Sequence, residues 1–193
     1  MERLRPFFKK AEIIDPVLYR VNLGGFPIGM GTDSWVYEGT DPNGKPVAVK
    51  IFPKDVVGQI GIPELQIYQK ITRKAALFLN GQPVSLHKTR GGKDDFIWFV
   101  NPITRIGTLK SSGEASSVNP FIEGPTLERE TDSDRYDLAQ TEEFLEQLSI
   151  ILNRRLGTKA IDVVPVNIKI TGNNILAITD LCAQLQRLRK EKV

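Results

Sequence analysis

Asp162, Asn167 and Asp180 lie in "DVVPVNIKITGNNILAITD", residues 162–180, where most other positions are apolar or turn-forming. Five residues separate Asp162 from Asn167, with Pro165 between, which predicts a carboxylate and an amide on one tight loop. "VNIKI" and "NILAITD" read as strands closed by "TGNN", so Asp180, at the end of the second strand, returns to the mouth of that loop. Carboxylates and an amide oxygen converging there form a site for a hard divalent cation. With so few protein oxygens the other positions fall to water or phosphate, as magnesium prefers. Taken singly, Asp162 and Asn167 are also ordinary turn formers, and Asp180 an ordinary helix cap.

A second group lies upstream. In "IGMGTDSWVYEG", Gly29 and Gly31 sit in a strand–turn–strand where missing side chains let backbone N–H groups approach a phosphate, though a Gly-x-Gly alone is usually just a turn. "VAVK" then places Lys50 among apolar neighbours, a costly position for an unpaired charge. Glu64 is the only acid between Asp55 and Asp94, so a Lys50–Glu64 pair is the simplest solution.

The elements that must hold these residues follow from periodicity. Residues 20–52 read as a β-meander with "DPNG" as a hairpin turn. "GIPELQIYQKITRKAALFL" reads as a helix with Pro63 in its first turn and Leu65, Tyr68, Ile71 and Ala75 at helical spacing. "DDFIWFVNPI" is a buried strand, 107–119 a turn with a return strand, and "PFIEGPT" an extended linker. In "TEEFLEQLSIILNRRLG", Phe144, Leu145, Leu148, Ile151, Leu152 and Leu156 make one helical face and Gly157 follows as C-cap. Trp35 and Trp98 are expected in packing, and His87 on a surface loop.

Composition bounds the chemistry. The chain has 193 residues, 40% hydrophobic and 25% charged, enough to bury one core or two small lobes. A single cysteine, Cys182, excludes an internal disulfide framework, and a single histidine, His87, excludes a multi-histidine metal site in one chain. No apolar run approaches a membrane span of about 20 residues, and "MERLRPFFKK" lacks a secretory signal's apolar stretch, so cytoplasmic synthesis and no membrane span are expected. The net charge is +3, with each basic end at +3 and the middle near −3. The ends read as solvated termini, so nucleic acid is not the expected partner.

As an ordered set these residues resemble the protein-kinase superfamily over residues 20 to about 183. "GMGTDSWV" resembles its glycine-rich loop with Ser34 in the third glycine position, and "VAVK" its β3 lysine motif. Glu64 resembles its helix-C glutamate, "DVVPVN" its catalytic loop and "TDL" its metal-binding aspartate motif, with eighteen residues from Asp162 to Asp180. "VNPFIEGPTL" is similar to the inter-lobe hinge, with Asn119 as gatekeeper. The resemblance implies ATP and Mg2+ as cofactors. Gly29 and Gly31 would cover the phosphates, Lys50, oriented by Glu64, would bind them, and Asn167 and Asp180 would hold the metal. Asp162 would accept or orient the attacking hydroxyl. Ile28, Val36 and Ala48 would line the adenine slot, and the Pro120 carbonyl and Ile122 N–H would meet its edge.

The departures shape the expected fold and function. Ala160-Ile161 replaces the His-Arg before the catalytic aspartate, Leu181-Cys182 replaces Phe-Gly, and Val164 stands where Ser/Thr-directed members carry lysine. Thirteen residues after Asp180 leave no room for an activation segment or substrate platform. The expected fold is therefore α+β and bilobal, a β-rich N-lobe (1–119), a hinge (120–125) and a truncated helical C-lobe (126–193). Small bacterial effector kinases look similar. That likeness implies a minimal phosphotransferase acting on a Ser/Thr hydroxyl of a partner protein, with an activating protein partner and delivery into a host cell. A pseudokinase or regulatory nucleotide-binding module, or a small-molecule kinase, remains open beside it.

Overall fold

A computed structural model describes residues 10–14, 19–23, 25–31, 33–54 and 60–181. Cys182 and the expected basic C-terminal helix lie outside these residues, as does the N-terminal basic stretch up to residue 9. Among the described residues no helix is long and apolar enough to cross a membrane. The chain divides into two compact units.

The first unit comprises Met1–Gln66 and Ile103–Phe121. Its strands are β1 (Lys10–Ile14), β2 (Tyr19–Asn22), β3 (Gly29–Met30), β4 (Trp35–Thr40), β5 (Pro46–Phe52), β8 (Arg105–Leu109) and β9 (Ala115–Pro120). They form one antiparallel sheet in the order β2-β1-β8-β9-β5-β4-β3. Because β2 also pairs with β4, through Val21 and Gly39, the sheet curls until it closes on itself. Gly39 permits that closure: a Cβ there would lie 2.7 Å from the Arg20 carbonyl oxygen. Strand alternation sends Val47, Val49 and Ile51 of β5 inward to pack with Tyr19, Val21, Leu109 and Val118. Burying a side chain of this size contributes about 1.5–3 kcal/mol, so these residues hold the ring closed. The expected "DPNG" turn is present, with Asp41 Oδ1 accepting the N–H groups of Asn43 and Lys45, each at 2.8 Å.

The second unit comprises Ile67–Pro102 and Ile122–Val193. The expected division counted 67–102 with the first lobe. These residues group with the second unit because β7 (Lys93–Val100) pairs in parallel with β11 (Ile175–Ile178), from Ile97↔Ile175 to Val100↔Ile178. With β6 (Pro83–His87) and β10 (Ile168–Thr171) they make a four-stranded sheet ordered β10-β11-β7-β6. Helix α1 (Ile62–Leu79) starts in the first unit's sequence and runs into the second's; it buries Leu65, Tyr68, Ile71 and Ala75, as their spacing required. Asn80 then fastens its end to β7, Asn80 Oδ1 accepting the Val100 N–H at 2.7 Å.

Helix α2 (Leu127–Asp132) is capped by Thr126, and α3 (Leu138–Leu156) by Asp137, whose side chain accepts the Gln140 N–H. Gly157 closes α3 in a left-handed conformation, as read from the sequence. The buried stripe of α3 is Thr141, Leu145, Leu148, Ser149 and Leu152. Ile151, expected on it, is 48% exposed, because the stripe follows i, i+4, i+7, i+8 and passes that position by. His87 is exposed as expected but ends β6 rather than lying in a loop. Trp98 packs as expected, stacked on Phe144 with ring centroids 6.0 Å apart. An ionic group braces the start of α3: Asp94 accepts from Lys88 at 2.7 Å and from the buried Tyr136 hydroxyl at 3.0 Å, while Arg135 pairs with Glu130 at 2.7 Å.

Candidate functional site

In the second unit, main-chain hydrogen bonds gather three of the expected residues at one end of the β10–β11 hairpin. The Asp162 N–H donates to the Leu181 carbonyl at 2.9 Å. The Thr179 N–H and hydroxyl donate to the Asn167 carbonyl at 2.8 and 3.0 Å. The backbones of 162 and 167 are therefore tied to the residues on either side of Asp180. Asn167 ends a one-turn 3-10 helix, Pro165–Asn167, where the proline's fixed φ tightens the loop.

Helix α3 fixes that loop. Ser149 Oγ accepts the Val163 N–H at 2.8 Å, and Asn153 exchanges two hydrogen bonds with the backbone of Ile161, at 3.0 and 2.8 Å. Ile161 and Val163 are buried while Asp162 between them is exposed, so alternation presents the carboxylate to solvent. Asn167 and Asp180 are partly exposed. Ser149 and Asn153 were not singled out from the sequence. Two amide or hydroxyl side chains spaced i, i+4 on the apolar side of a helix are the signal that finds them.

Asp180 has a partner that sequence reasoning did not assign. The Tyr68 hydroxyl donates to Asp180 Oδ1, and the Leu181 N–H donates to the Tyr68 oxygen at 3.0 Å. Tyr68 entered the sequence reading only as a member of the buried face of α1. A buried tyrosine among Leu65, Ile71 and Ala75 must still satisfy its hydroxyl, which is the hint of a polar contact there.

This donor set fits magnesium. Asn167 and Asp180 offer hard oxygens, neither is sealed from solvent, and the main-chain bonds fix their carrying segments. A single carboxylate and an amide leave most of an octahedral shell to water and phosphate, the way this ion is usually held.

In the first unit, the register sets Gly29, Val36, Lys50 and Ser117 in one cross-strand row, and Ala48 and Asn119 in the next. Cross-strand partners share a face, here the one opposite Val47, Val49 and Ile51. Lys50 is buried, and the buried Ser117 hydroxyl across from it has no hydrogen-bond partner among the described residues. That orphaned donor and acceptor, in a row with a lysine and the bare backbone of Gly29 and next to the small side chain of Ala48, suits a polar ligand laid along the face. The glycine turn is closed by Ile28 N–H to Val36 carbonyl at 2.8 Å and Gly31 N–H to Ser34 carbonyl at 2.9 Å, and Ile28 is 53% exposed. Glu64 is buried in the first turn of α1, where its Oε2 accepts the Gly61 N–H at 2.8 Å, the reach-back half of a capping box. Pro120 ends β9, and Ile122 begins the second segment of the other unit.

No protein-family model matches the sequence, and no curated protein does. Among solved structures, the chain is similar to a double mutant of the PknI kinase domain of Mycobacterium tuberculosis, with a TM-score of 0.50 and 15% identity, over 86% of this chain and 62% of that one. The PknI kinase domain without that pair of mutations gives 0.48 at 15% identity, over 86% and 61%. Rad53 1–466 in complex with AMP-PNP gives 0.47 at 18% identity, over 91% and 39%. The fold is thus α+β and kinase-like, with a curled β-sheet in its N-terminal part and few helices. The chain spans about three-fifths of the PknI kinase domain.

Proposed function

We propose that this chain is an ATP- and Mg2+-dependent phosphotransferase that passes a phosphoryl group to a Ser/Thr hydroxyl of a partner protein. The observation that carries the reading is the gathering of Asp162, Asn167 and Asp180 by main-chain hydrogen bonds at one hairpin end, with Asp162 exposed and Asn167 and Asp180 partly exposed. Asp180 and Asn167 would hold magnesium, which when bound neutralises charge on the phosphates. The exposed Asp162 carboxylate would orient the acceptor hydroxyl and take up its proton, a task that needs proximity more than a shifted pKa. Lys50, oriented by Glu64, would bind phosphate oxygens beneath Gly29 and Gly31, and Val36 and Ala48 with Ile28 would flank the base. The Pro120 carbonyl and Ile122 N–H would meet the base edge. An activating protein partner and action inside a host cell belong to the same proposal.

Transfer from radiolabelled ATP with magnesium, using cell lysate as acceptor, tests the reading. Wild-type protein should label an acceptor while Asp162→Ala and Asp180→Ala fall by at least about a hundredfold, the range expected when a charge-positioning group is removed. Equal labelling by all three removes the proposal. Nucleotide-dependent thermal stabilisation without any transfer would select a binding module instead.

A further inference from the structure

The Tyr68 oxygen touches two consecutive residues in different ways: it gives its proton to the Asp180 carboxylate and takes one from the Leu181 N–H. Side-chain torsion at 180 and peptide orientation at 181 are thereby fixed by one atom. Leu181 is engaged on its other side as well, its carbonyl accepting the Asp162 N–H at 2.9 Å. A continuous line of hydrogen bonds therefore runs from helix α1 through Leu181 to Asp162, with Asp180 held at its centre. Both ends of the Tyr68–Leu181 bond are buried, so it does not exchange for water without local opening, while Asp180 beside it is partly exposed.

We propose that Tyr68 is a positioning residue for Asp180, holding its carboxylate in the orientation that receives magnesium and staying in place when the metal binds. This rests on the reading of Asp180 as a magnesium-holding residue. An ionised carboxylate has about four lone-pair directions, and the phenol uses one, so the contact leaves room for a cation on the same group. Hydrogen-bonding partners behind metal-holding side chains orient them, and their loss typically weakens metal binding by about 10–100-fold. The Thr179 bonds hold Asn167 by its main-chain carbonyl, whereas the tyrosine reaches the Asp180 carboxylate itself. Tyr68 follows Glu64 by four residues on α1, so one helix carries both the glutamate and the aspartate's support.

The test is Tyr68→Phe, which keeps the ring and removes both hydrogen bonds, read as the Mg2+ concentration giving half-maximal thermal stabilisation at fixed ATP. That midpoint should rise about 10–100-fold, with the metal-free effect of ATP unchanged. A variant that only lowers the melting temperature, with the wild-type Mg2+ midpoint, overturns the proposal. So does a lowered midpoint, which would mean that the tyrosine competes with the metal. Asp180→Ala separates the two levels: if it keeps the wild-type Mg2+ response, the phosphotransferase reading falls and this inference with it. If Asp180→Ala loses the response and Tyr68→Phe does not change it, only the positioning role falls. Should Tyr68→Phe not fold, amide exchange in the unsubstituted protein decides. The Leu181 amide should exchange slowly without metal and stay slow with Mg2+ and ATP; acceleration on loading overturns the proposal.

Discussion

Ser149 Oγ accepts the Val163 N–H at 2.8 Å while giving its own proton to the Leu145 carbonyl at 2.9 Å, so a helix side chain does for the Asp162 loop what a neighbouring strand would otherwise do. Val163 is buried, and its N–H has no water to turn to if the hydroxyl is lost. Ser149→Ala should therefore destabilise the second unit by about 1–3 kcal/mol, the penalty of an unsatisfied buried donor. Because Val163 adjoins Asp162, phosphoryl transfer should fall by about a hundredfold, as small misplacements of reacting groups do. Ser149→Thr restores the hydroxyl and should restore most of both. Denaturant melts beside labelling assays check it; a Ser149→Ala protein with wild-type transfer would detach the loop's anchoring from function.

Lys50 gives a prediction in the first unit. It lies on the sheet face away from the closed ring's core, in a cross-strand row with Gly29, Val36 and Ser117. Lys50→Met keeps length and apolar packing and removes the charge, so stabilisation by ATP and magnesium should shrink and transfer should drop by about two to three orders of magnitude. Thermal melts with and without nucleotide measure the first, labelling the second. Undiminished nucleotide stabilisation in the methionine variant would move the phosphate site elsewhere.

Much of this framework could be read from residue order, for local reasons. The buried face of α1 was visible because Leu65, Tyr68, Ile71 and Ala75 repeat at the helical period, and the β10–β11 hairpin because "TGNN" breaks two β-branched runs. What stayed hidden depends on distant partners. Strand β1 falls partly in a stretch read as a basic end, and only its pairing with β2 and β8 makes it a strand. β6 was missed although Val84 and Leu86 alternate inward, a short period-2 signal beside Pro83. The parallel match of β7 with β11 joins residues 78 positions apart, such as Ile97 and Ile175, which no local pattern encodes. Tyr68 shows the same limit at the site: periodicity says that it is buried, and only the folded chain says to what its hydroxyl is bonded.

The ionic group around Asp94 yields a pH dependence with two arms. The hydrogen bond from Lys88 holds the Asp94 carboxyl below the usual carboxylate range, so its stabilisation is present at neutral pH and is lost as pH falls through that lowered value. Burial, with the hydrogen bond to Asp94, pushes the Tyr136 phenol up to about 12. A raised phenol pKa favours the folded protein below pH about 10, and that preference is lost as pH climbs towards 12, a change on the order of 2 kcal/mol. Tyr136→Phe should flatten the alkaline arm relative to wild type while leaving other titrations in place. Denaturation midpoints from pH 9 to 12 in both proteins measure the difference; parallel curves would contradict it.

Two glycines on either side of β10 make opposite predictions. Gly124 has φ +134, and a Cβ added to it would stand 2.1 Å from the Ile170 carbonyl oxygen, where Ile170 itself donates to the Pro125 carbonyl at 3.0 Å. No side chain can swing aside there, because the obstacle is backbone. Gly124→Ala should combine backbone strain with overpacking and destabilise by about 3 kcal/mol or more. Gly172 lies in the β10–β11 turn with open space around its would-be Cβ and no positive φ. Gly172→Ala should stay within about 0.5 kcal/mol of wild type, or stabilise slightly by narrowing the unfolded ensemble. Amide exchange at Ile168 and Ile170 separates the effects, since loosening by Gly124→Ala begins at the β10 contact and reaches Asn167 next in the chain. If both variants melt alike, the tight passage of residues 124–125 past β10 is not what holds that strand.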